Sequence, residues 1–166
     1  TVRFLMEAGA SRVTLSPELT LEQVRQMAGL QVLPLEVIVH GALPLMVSEY
    51  CVVGSLLGEK DKGKGKGCPA PCRGTGCGLK DRKGVVFPVE LDQYCRMHIF
   101  NSRDLCVIED LPELAGAGVS VLRIEARREG SRYVRDVTRA YRDALAQKPG
   151  ERSPERLSLL KESLAR

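Results

Sequence analysis

The sequence predicts an α/β fold: a partial TIM-like (βα) barrel with parallel strands, interrupted by a cysteine-rich β-ribbon insertion. Three observations predict it. Short apolar runs of strand length alternate with segments of helical periodicity. Two of those runs, "LEVIVHG" (35–41) and "SVLRIEA" (120–126), have the character of strands covered on both faces. Between them Cys51, Cys68, Cys72, Cys77 and Cys95 crowd one stretch rich in glycine, proline and lysine. At 166 residues and 43% hydrophobic, the chain can bury one real core plus an appendage. Three βα units are too few to close an eight-stranded barrel of about 250 residues, so the expected architecture is part of a larger barrel whose remaining strands are missing.

In chain order, "VRFLMEAGA" reads as a helix ending at Gly9, and "RVTLS" (12–16) as a short strand. "SPELTLEQVRQMAG" reads as a helix opened by Pro17 or Thr20 and closed by Gly29. After the second strand and the cysteine region, "VVFPVELDQYC" and "RMHIFNS" have the pattern of a β-ribbon, with "DRKG" as the preceding turn. "SRDLCVIEDLPELAGAGV" predicts one or two short helical turns, the second opened by Pro112. "SRYVRDVTRAYRDALAQ" carries Val134, Val137, Tyr141 and Leu145 at helical spacing, with Ser131 as N-cap. The expected organisation is a barrel portion over 1–147 with an insertion at about 51–100, a linker over 148–153, and an amphipathic helix over 154–166. That helix, through Leu157, Leu160 and Leu164, would lead into a missing module.

A net charge of +4 is mild, and much of it comes from Lys60, Lys62, Lys64 and Lys66 in "EKDKGKGKG". That run reads as a solvated loop, or else as a phosphate-contacting arm beside a metal site. No run approaches the length of a membrane span, and no short unit repeats. "TVRFLMEAGA" has neither the apolar region nor the cleavage site of a signal peptide, so a cytoplasmic location is expected.

Three chemistries compete for the clustered thiols: disulfides, a structural zinc, or an iron–sulfur cluster. Six cysteines in 166 residues, clustered rather than spread, fall short of a disulfide scaffold and favour metal. Cys51, Cys68, Cys72 and Cys95 form a four-thiolate set with 16, 3 and 22 residues between neighbours. Such a set suits a cubane cluster or tetrahedral zinc, and spacing alone does not choose.

The ordered motifs "LEVIVHGALPLMVSEYC", "CPAPCR", "LKDRKG", "FPVELDQYCRMHIFNS" and "GVSVLRIEAR" resemble the collagenase-like peptidases, the peptidase family of unknown mechanism numbered 32. The likeness runs from "GASRVTLSPELT" to "YRDAL" and is greatest to long members with extra C-terminal domains. It implies a TIM-like barrel and a cysteine-bound 4Fe–4S cluster, with zinc as the alternative. It further implies hydroxylation, without oxygen, of RNA bases or of a small aromatic ring. Older naming implies proteolysis instead. The sequence departs from the hydroxylase-type pattern at Pro44, where those relatives carry a cysteine after "HGAL".

Single residues follow from the barrel. His40 ends the "LEVIVH" strand, on the barrel face where active sites form. Glu36 has the same parity, which predicts that both side chains share one face. Buried there, Glu36 needs a partner such as Arg123 or a substrate, and Arg123 shares a face with Glu125. His40, Glu36 and Arg123 are therefore the catalytic candidates. Cys77 is read as a non-ligand, with replacement of Cys72 in the ligand set as the alternative, and Cys106 as a small core residue on an apolar helix face. His98 is read as a neighbour of the metal site rather than a ligand. Arg73 and Arg96 each follow a predicted ligand, where they would offset cluster charge, hold a substrate carboxylate, or simply be solvated.

Three functions remain open: an iron–sulfur hydroxylase with its cluster at the strand-end face near His40, a peptidase, or a non-catalytic, metal-stabilised RNA-binding fragment. No H-E-x-x-H or G-x-S-x-G supports the second. With 4% aromatic residues and no Trp, few stacking platforms support the third.

Overall fold

The structure, a computed structural model, describes residues 1–57, 70, 72, 76–146, 158, 161, 162 and 164. The readings made of Cys68, Arg73, Lys60 to Lys66, Leu157, Leu160 and the linker lie outside these residues. The chain divides into two compact units, Thr1–Gly41 with Asp104–Arg166, and Ala42–Arg103.

The first unit is built on β1 (Val13–Thr14), β2 (Leu35–Gly41), β7 (Leu105–Cys106) and β8 (Val121–Glu125). β2 pairs parallel with β1 and with β8, as the two apolar runs predicted. Glu36 has both Thr14 and Val121 as partners, and His40 has both Cys106 and Ile124. The short β1 and β7 therefore share one edge of β2 and β8 takes the other. β7 pairs antiparallel and was read as helix; Leu105 and Cys106 are only two residues, too few for a period to show.

Local chemistry fixes the helices around this sheet. α1 (Val2–Glu7) precedes the left-handed Gly9, at φ +89°. α2 (Leu21–Gly29) opens with a capping box: Thr20 Oγ1 accepts from the Gln23 amide at 3.3 Å, and Gln23 Oε1 accepts from the Thr20 amide at 2.9 Å. α4 (Leu111–Ala117) follows a 3-10 turn at Ile108–Asp110, carries Pro112 in its first turn and stops at the left-handed Gly118. α5 (Ser131–Ala146) buries Tyr133, Val137, Ala140, Tyr141 and Ala144. Val134 and Leu145, expected on that face, are exposed; the buried arc is centred nearer Val137 and the smaller alanines. Val24 of α2, Leu114 of α4 and Val137 of α5 join Leu35 and Val39 of β2 in one apolar core. Leu164 packs against the same core and Lys161 pairs with Glu109.

The second unit is an antiparallel sheet in the order β3-β6-β5-β4, with β3 Pro44–Ser48, β4 Cys77–Lys80, β5 Val86–Leu91 and β6 Met97–Phe100. The sequence reading missed β3 and the helix α3 (Val52–Leu57). Pro44 weakens a strand reading of "ALPLMVS", and the structure puts it where proline is tolerated, at the first residue of an edge strand. Asp81–Gly84 turns between β4 and β5 as expected. "DQYC" belongs to a turn rather than the ribbon: Asp92 Oδ1 accepts from the Tyr94 and Arg96 amides at 2.9 and 3.0 Å.

Candidate functional site

One face of the parallel sheet carries an alternating ladder of charge. Glu36 is only 6% exposed, and its carboxylate is fully engaged. Oε1 accepts from Thr14 Oγ1 at 2.9 Å and lies 3.5 Å from Arg123 Nη1, while Oε2 meets Arg12 Nε at 3.1 Å. Arg123 continues to Glu125 at 2.8 Å, and Glu125 to Arg127 at 2.6 Å. β1, β2 and β8 produce this order because Thr14, Glu36, Arg123 and Glu125 occupy alternate positions on adjacent parallel strands. A carboxylate so buried is stable only because guanidinium and hydroxyl donors replace its water.

His40 is not part of that ladder. The register with β8 slips between Ile38 and His40, so that Val39 is the extra residue of a bulge and His40 pairs with Ile124. The bulge breaks the alternation from which a shared face with Glu36 was predicted. His40, 0% exposed, instead lies among the tyrosines of α5, with ring centroids 5.5 Å from Tyr141 and 5.8 Å from Tyr133. Tyr141 Oη donates to the Val39 carbonyl at 2.6 Å, lies 3.4 Å from His40 Nδ1, and lies 3.8 Å from Cys106 Sγ. Burial pushes the Tyr141 phenol well above its ordinary range, aided by the neighbouring Cys106. Cys106 is a core residue as expected, on a strand rather than a helix.

In the second unit Cys51, Cys72 and Cys77 are half-buried and Cys95 is exposed, and no disulfide joins the described cysteines. Cys51 immediately precedes α3, and its Sγ accepts from the Gly54 amide at 3.2 Å. Cys77 begins β4 opposite Val89 and packs on the small core of Val89, Met97 and Ile99. Among the described residues no three His, Cys, Asp or Glu side chains are gathered to hold a metal ion; Cys68 lies outside them. Of the four predicted ligands, Cys51, Cys72 and Cys95 are described and are not gathered at one point. What fits a thiolate-bound metal is the donor set itself, four of the cysteines between residues 51 and 95, with Cys51 Sγ receiving an amide N–H of the kind that tunes cluster sulfurs.

Beside Cys95, which has φ +59°, Arg96 Nε donates to Asp92 Oδ2 at 2.6 Å and its guanidinium lies 5.2 Å over the Tyr94 ring. Arg96 is thus bound to Asp92, not simply solvated. Partial desolvation raises the Asp92 carboxyl, but hydrogen bonds from the Arg96 backbone and side chain, the Tyr94 amide and His98 outweigh it and hold it at about 2. His98 Nε2 is 3.5 Å from the same carboxylate.

These features can be set beside known proteins. The family model described as peptidase family U32 matches residues 1–165. The chain belongs to peptidase family U32. This U32 chain is 28% identical over 144 residues to the tRNA hydroxylation protein P1 of Bacillus subtilis (strain 168), covering 87% of the chain and 34% of that protein. It is 29% identical over 152 residues to the 23S rRNA 5-hydroxycytidine C2501 synthase of Escherichia coli (strain K12), covering 90% and 22%. It is 33% identical over 149 residues to a collagenase of Porphyromonas gingivalis, covering 82% and 34%. The chain therefore spans between 22% and 34% of the length of these relatives. No solved structure matches it.

Within the U32 chain the fold brings Glu36, Arg123 and Glu125 together and separates His40 from them. Sequence reasoning missed Arg12 and Thr14, although "RVT" alternates toward the Glu36 face. It also missed Tyr133 and Tyr141 as the surroundings of His40; their spacing of eight residues on one helix face was the available signal. A hollow at the starts of β2 and β8, lined by Gln31, Leu33, Pro34, Leu35 and Ser120, contains none of the candidates. No helix among the described residues is long and apolar enough to cross a membrane.

Proposed function

We propose that this U32 chain is the part of an iron–sulfur enzyme that acts on RNA, hydroxylating a base, and that its parallel sheet is a portion of a TIM-like barrel. The observation that carries the reading is the thiol set: Cys51, Cys68, Cys72 and Cys95 within 45 residues, no disulfide among the described cysteines, and the Cys51 sulfur already accepting an amide N–H. Cys51, Cys68, Cys72 and Cys95 would hold a 4Fe–4S cluster, and Cys77 is left out because it packs in a strand core. The RNA hydroxylation names of two relatives support the substrate class.

A 4Fe–4S cluster, when bound, supplies one-electron redox capacity and an iron Lewis acid. The chain's own residues do the positioning. Arg123, half-exposed beside Glu36, can donate to a ring carbonyl while Arg12 and Thr14 keep Glu36 in place. Glu36, whose two oxygens are taken up by Thr14, Arg123 and Arg12, orients Arg123 toward the base rather than serving as a proton acceptor. His40 acts through structure, fixing the end of β2 with Tyr141. The peptidase reading draws on the collagenase relative, but a thiol nucleophile needs an accessible imidazole, and His40 is buried while His98 faces Asp92.

The test is nucleoside mass spectrometry of tRNA and 23S rRNA from cells lacking the gene. Loss of one oxygen-bearing nucleoside, restored by the wild-type gene and not by Glu36→Gln, is expected. An unchanged nucleoside profile would remove the reading.

A further inference from the structure

We infer that the outward face of α5 is a docking surface for the phosphate backbone of the RNA, separate from the residues proposed for chemistry. This inference rests on the RNA reading above. Arg132, Arg135, Arg139 and Arg142 recur at intervals of three and four along α5, which aligns them in one stripe. The stripe is opposite the buried arc of Tyr133, Val137, Ala140, Tyr141 and Ala144, so all four arginines are exposed. α5 itself, Ser131–Ala146, holds four arginines against two acids, Asp136 and Asp143, a surplus of two in a chain whose formal charge is +4.

The pairing separates this face from an ordinary solvated one. On α2 the exposed Arg25 is neutralised by both Glu22 and Glu113. On α5, Arg132 and Arg135 share a single carboxylate, Asp136, at 3.6 and 3.2 Å, and Arg139 and Arg142 have no ion pair among the described residues. Two guanidiniums, with five donors each, are left for an external anion.

The shape of the face selects the partner. From Arg132 to Arg142 the stripe runs about 15 Å, which at the axial spacing of a duplex strand spans roughly four phosphates. A membrane would demand a continuous apolar flank to insert, and the large apolar residues that α5 exposes are Val134 and Leu145, about three turns apart, while its other large apolar residues are in the core. Arginine throughout, with no lysine on the helix, suits planar bidentate contact to phosphate.

The experiment measures binding of purified total tRNA to the intact protein as a function of salt, for wild type and for the triple variant Arg135→Gln, Arg139→Gln, Arg142→Gln. Vesicles containing phosphatidylserine and poly-glutamate serve as competing anions. The wild type should bind tRNA, and the variant should bind at least tenfold more weakly near 0.1 M salt, with a salt slope shallower by about 2. Replacing the same three residues by lysine should keep the slope, which separates lost charge from lost fold. Equal affinity and slope for wild type and the glutamine variant would overturn the docking surface while leaving the RNA reading standing. Absence of tRNA binding by the wild type would remove both. Binding to vesicles or poly-glutamate as tight as to tRNA, with the same loss in the variant, would overturn RNA as the partner.

Discussion

Tyr141 donates its hydroxyl proton to the carbonyl of Val39, at 2.6 Å, across 102 residues of sequence. That carbonyl also accepts from the Val107 amide at 3.1 Å, so the one extra residue of the β2 bulge is held from both α5 and the segment after β7. Tyr141→Phe should therefore cost only about 1 kcal/mol, because a neutral hydrogen bond is lost while the carbonyl keeps a partner. Chemical denaturation measures this; a loss within error of zero would mean that the bulge does not depend on Tyr141.

The same tyrosine carries a pH signature. Its folded-state ionisation lies above the unfolded value, so the stability it contributes is present below about pH 10 and lost as pH rises past that point. Ultraviolet titration should show no Tyr141 phenolate before alkaline unfolding. In Tyr141→Phe the absorbance step that accompanies unfolding should shrink by one phenol. An undiminished step would contradict the burial described.

Gly41 tests the junction of β2 and β8. Its φ is +126°, and a Cβ there would come within 2.0 Å of the Glu125 carbonyl oxygen. Because the obstacle is backbone, Gly41→Ala should destabilise by more than about 2 kcal/mol, well beyond the usual surface substitution. A thermal midpoint unchanged from wild type would contradict the register of these two strands.

Glu36 tests the charged ladder. Glu36→Gln removes the charge that Arg12 and Arg123 share and should cost about 1–2 kcal/mol, discounted because both arginines are half-exposed. Arg123→Met should cost less in stability, since Arg12 and Thr14 still satisfy Glu36, yet abolish restoration of the hydroxylated nucleoside. Full restoration by Arg123→Met would show that the ladder is structural only.

Asp92 gives an acid signature in the second unit. Its carboxyl is depressed from 3.8 to about 2, so the order it imposes on the turn is complete above about pH 4 and lost as pH falls through 2. The Tyr94 and Arg96 amide resonances should titrate with a midpoint near that lower value, and not at all in Asp92→Asn. A midpoint at the ordinary aspartate value would mean that the turn is not capped as described.

How far the sequence could be read varies residue by residue. "LEVIVHG" announces a buried strand because apolar character over strand length is a local property, and Thr20 with Gln23 announces the start of α2 because capping is local too. The partnership of Glu36 with Arg123 was readable from the need of a buried carboxylate for a counter-charge on the neighbouring strand. The position of His40 was not, because one bulged residue at Val39 inverts every later side chain and nothing local in "VIVHG" marks it. β7 escaped because a two-residue strand exists only through its partner. Asp92 was absorbed into a strand by its apolar neighbours, although its side chain makes the turn.

The most direct test of the central claim is the visible absorption spectrum, with iron, sulfide and zinc analysis, of protein prepared without oxygen. A 4Fe–4S site held by these cysteines predicts a broad brown absorption in the blue, iron and sulfide in near-equal amounts, and loss of the colour on air exposure and in Cys51→Ser or Cys68→Ser. The reason is that iron held by thiolate and sulfide has charge-transfer bands, whereas zinc, with a filled d shell, has none. A colourless protein carrying stoichiometric zinc and no iron, and cleaving gelatin until its thiols are alkylated, would contradict it.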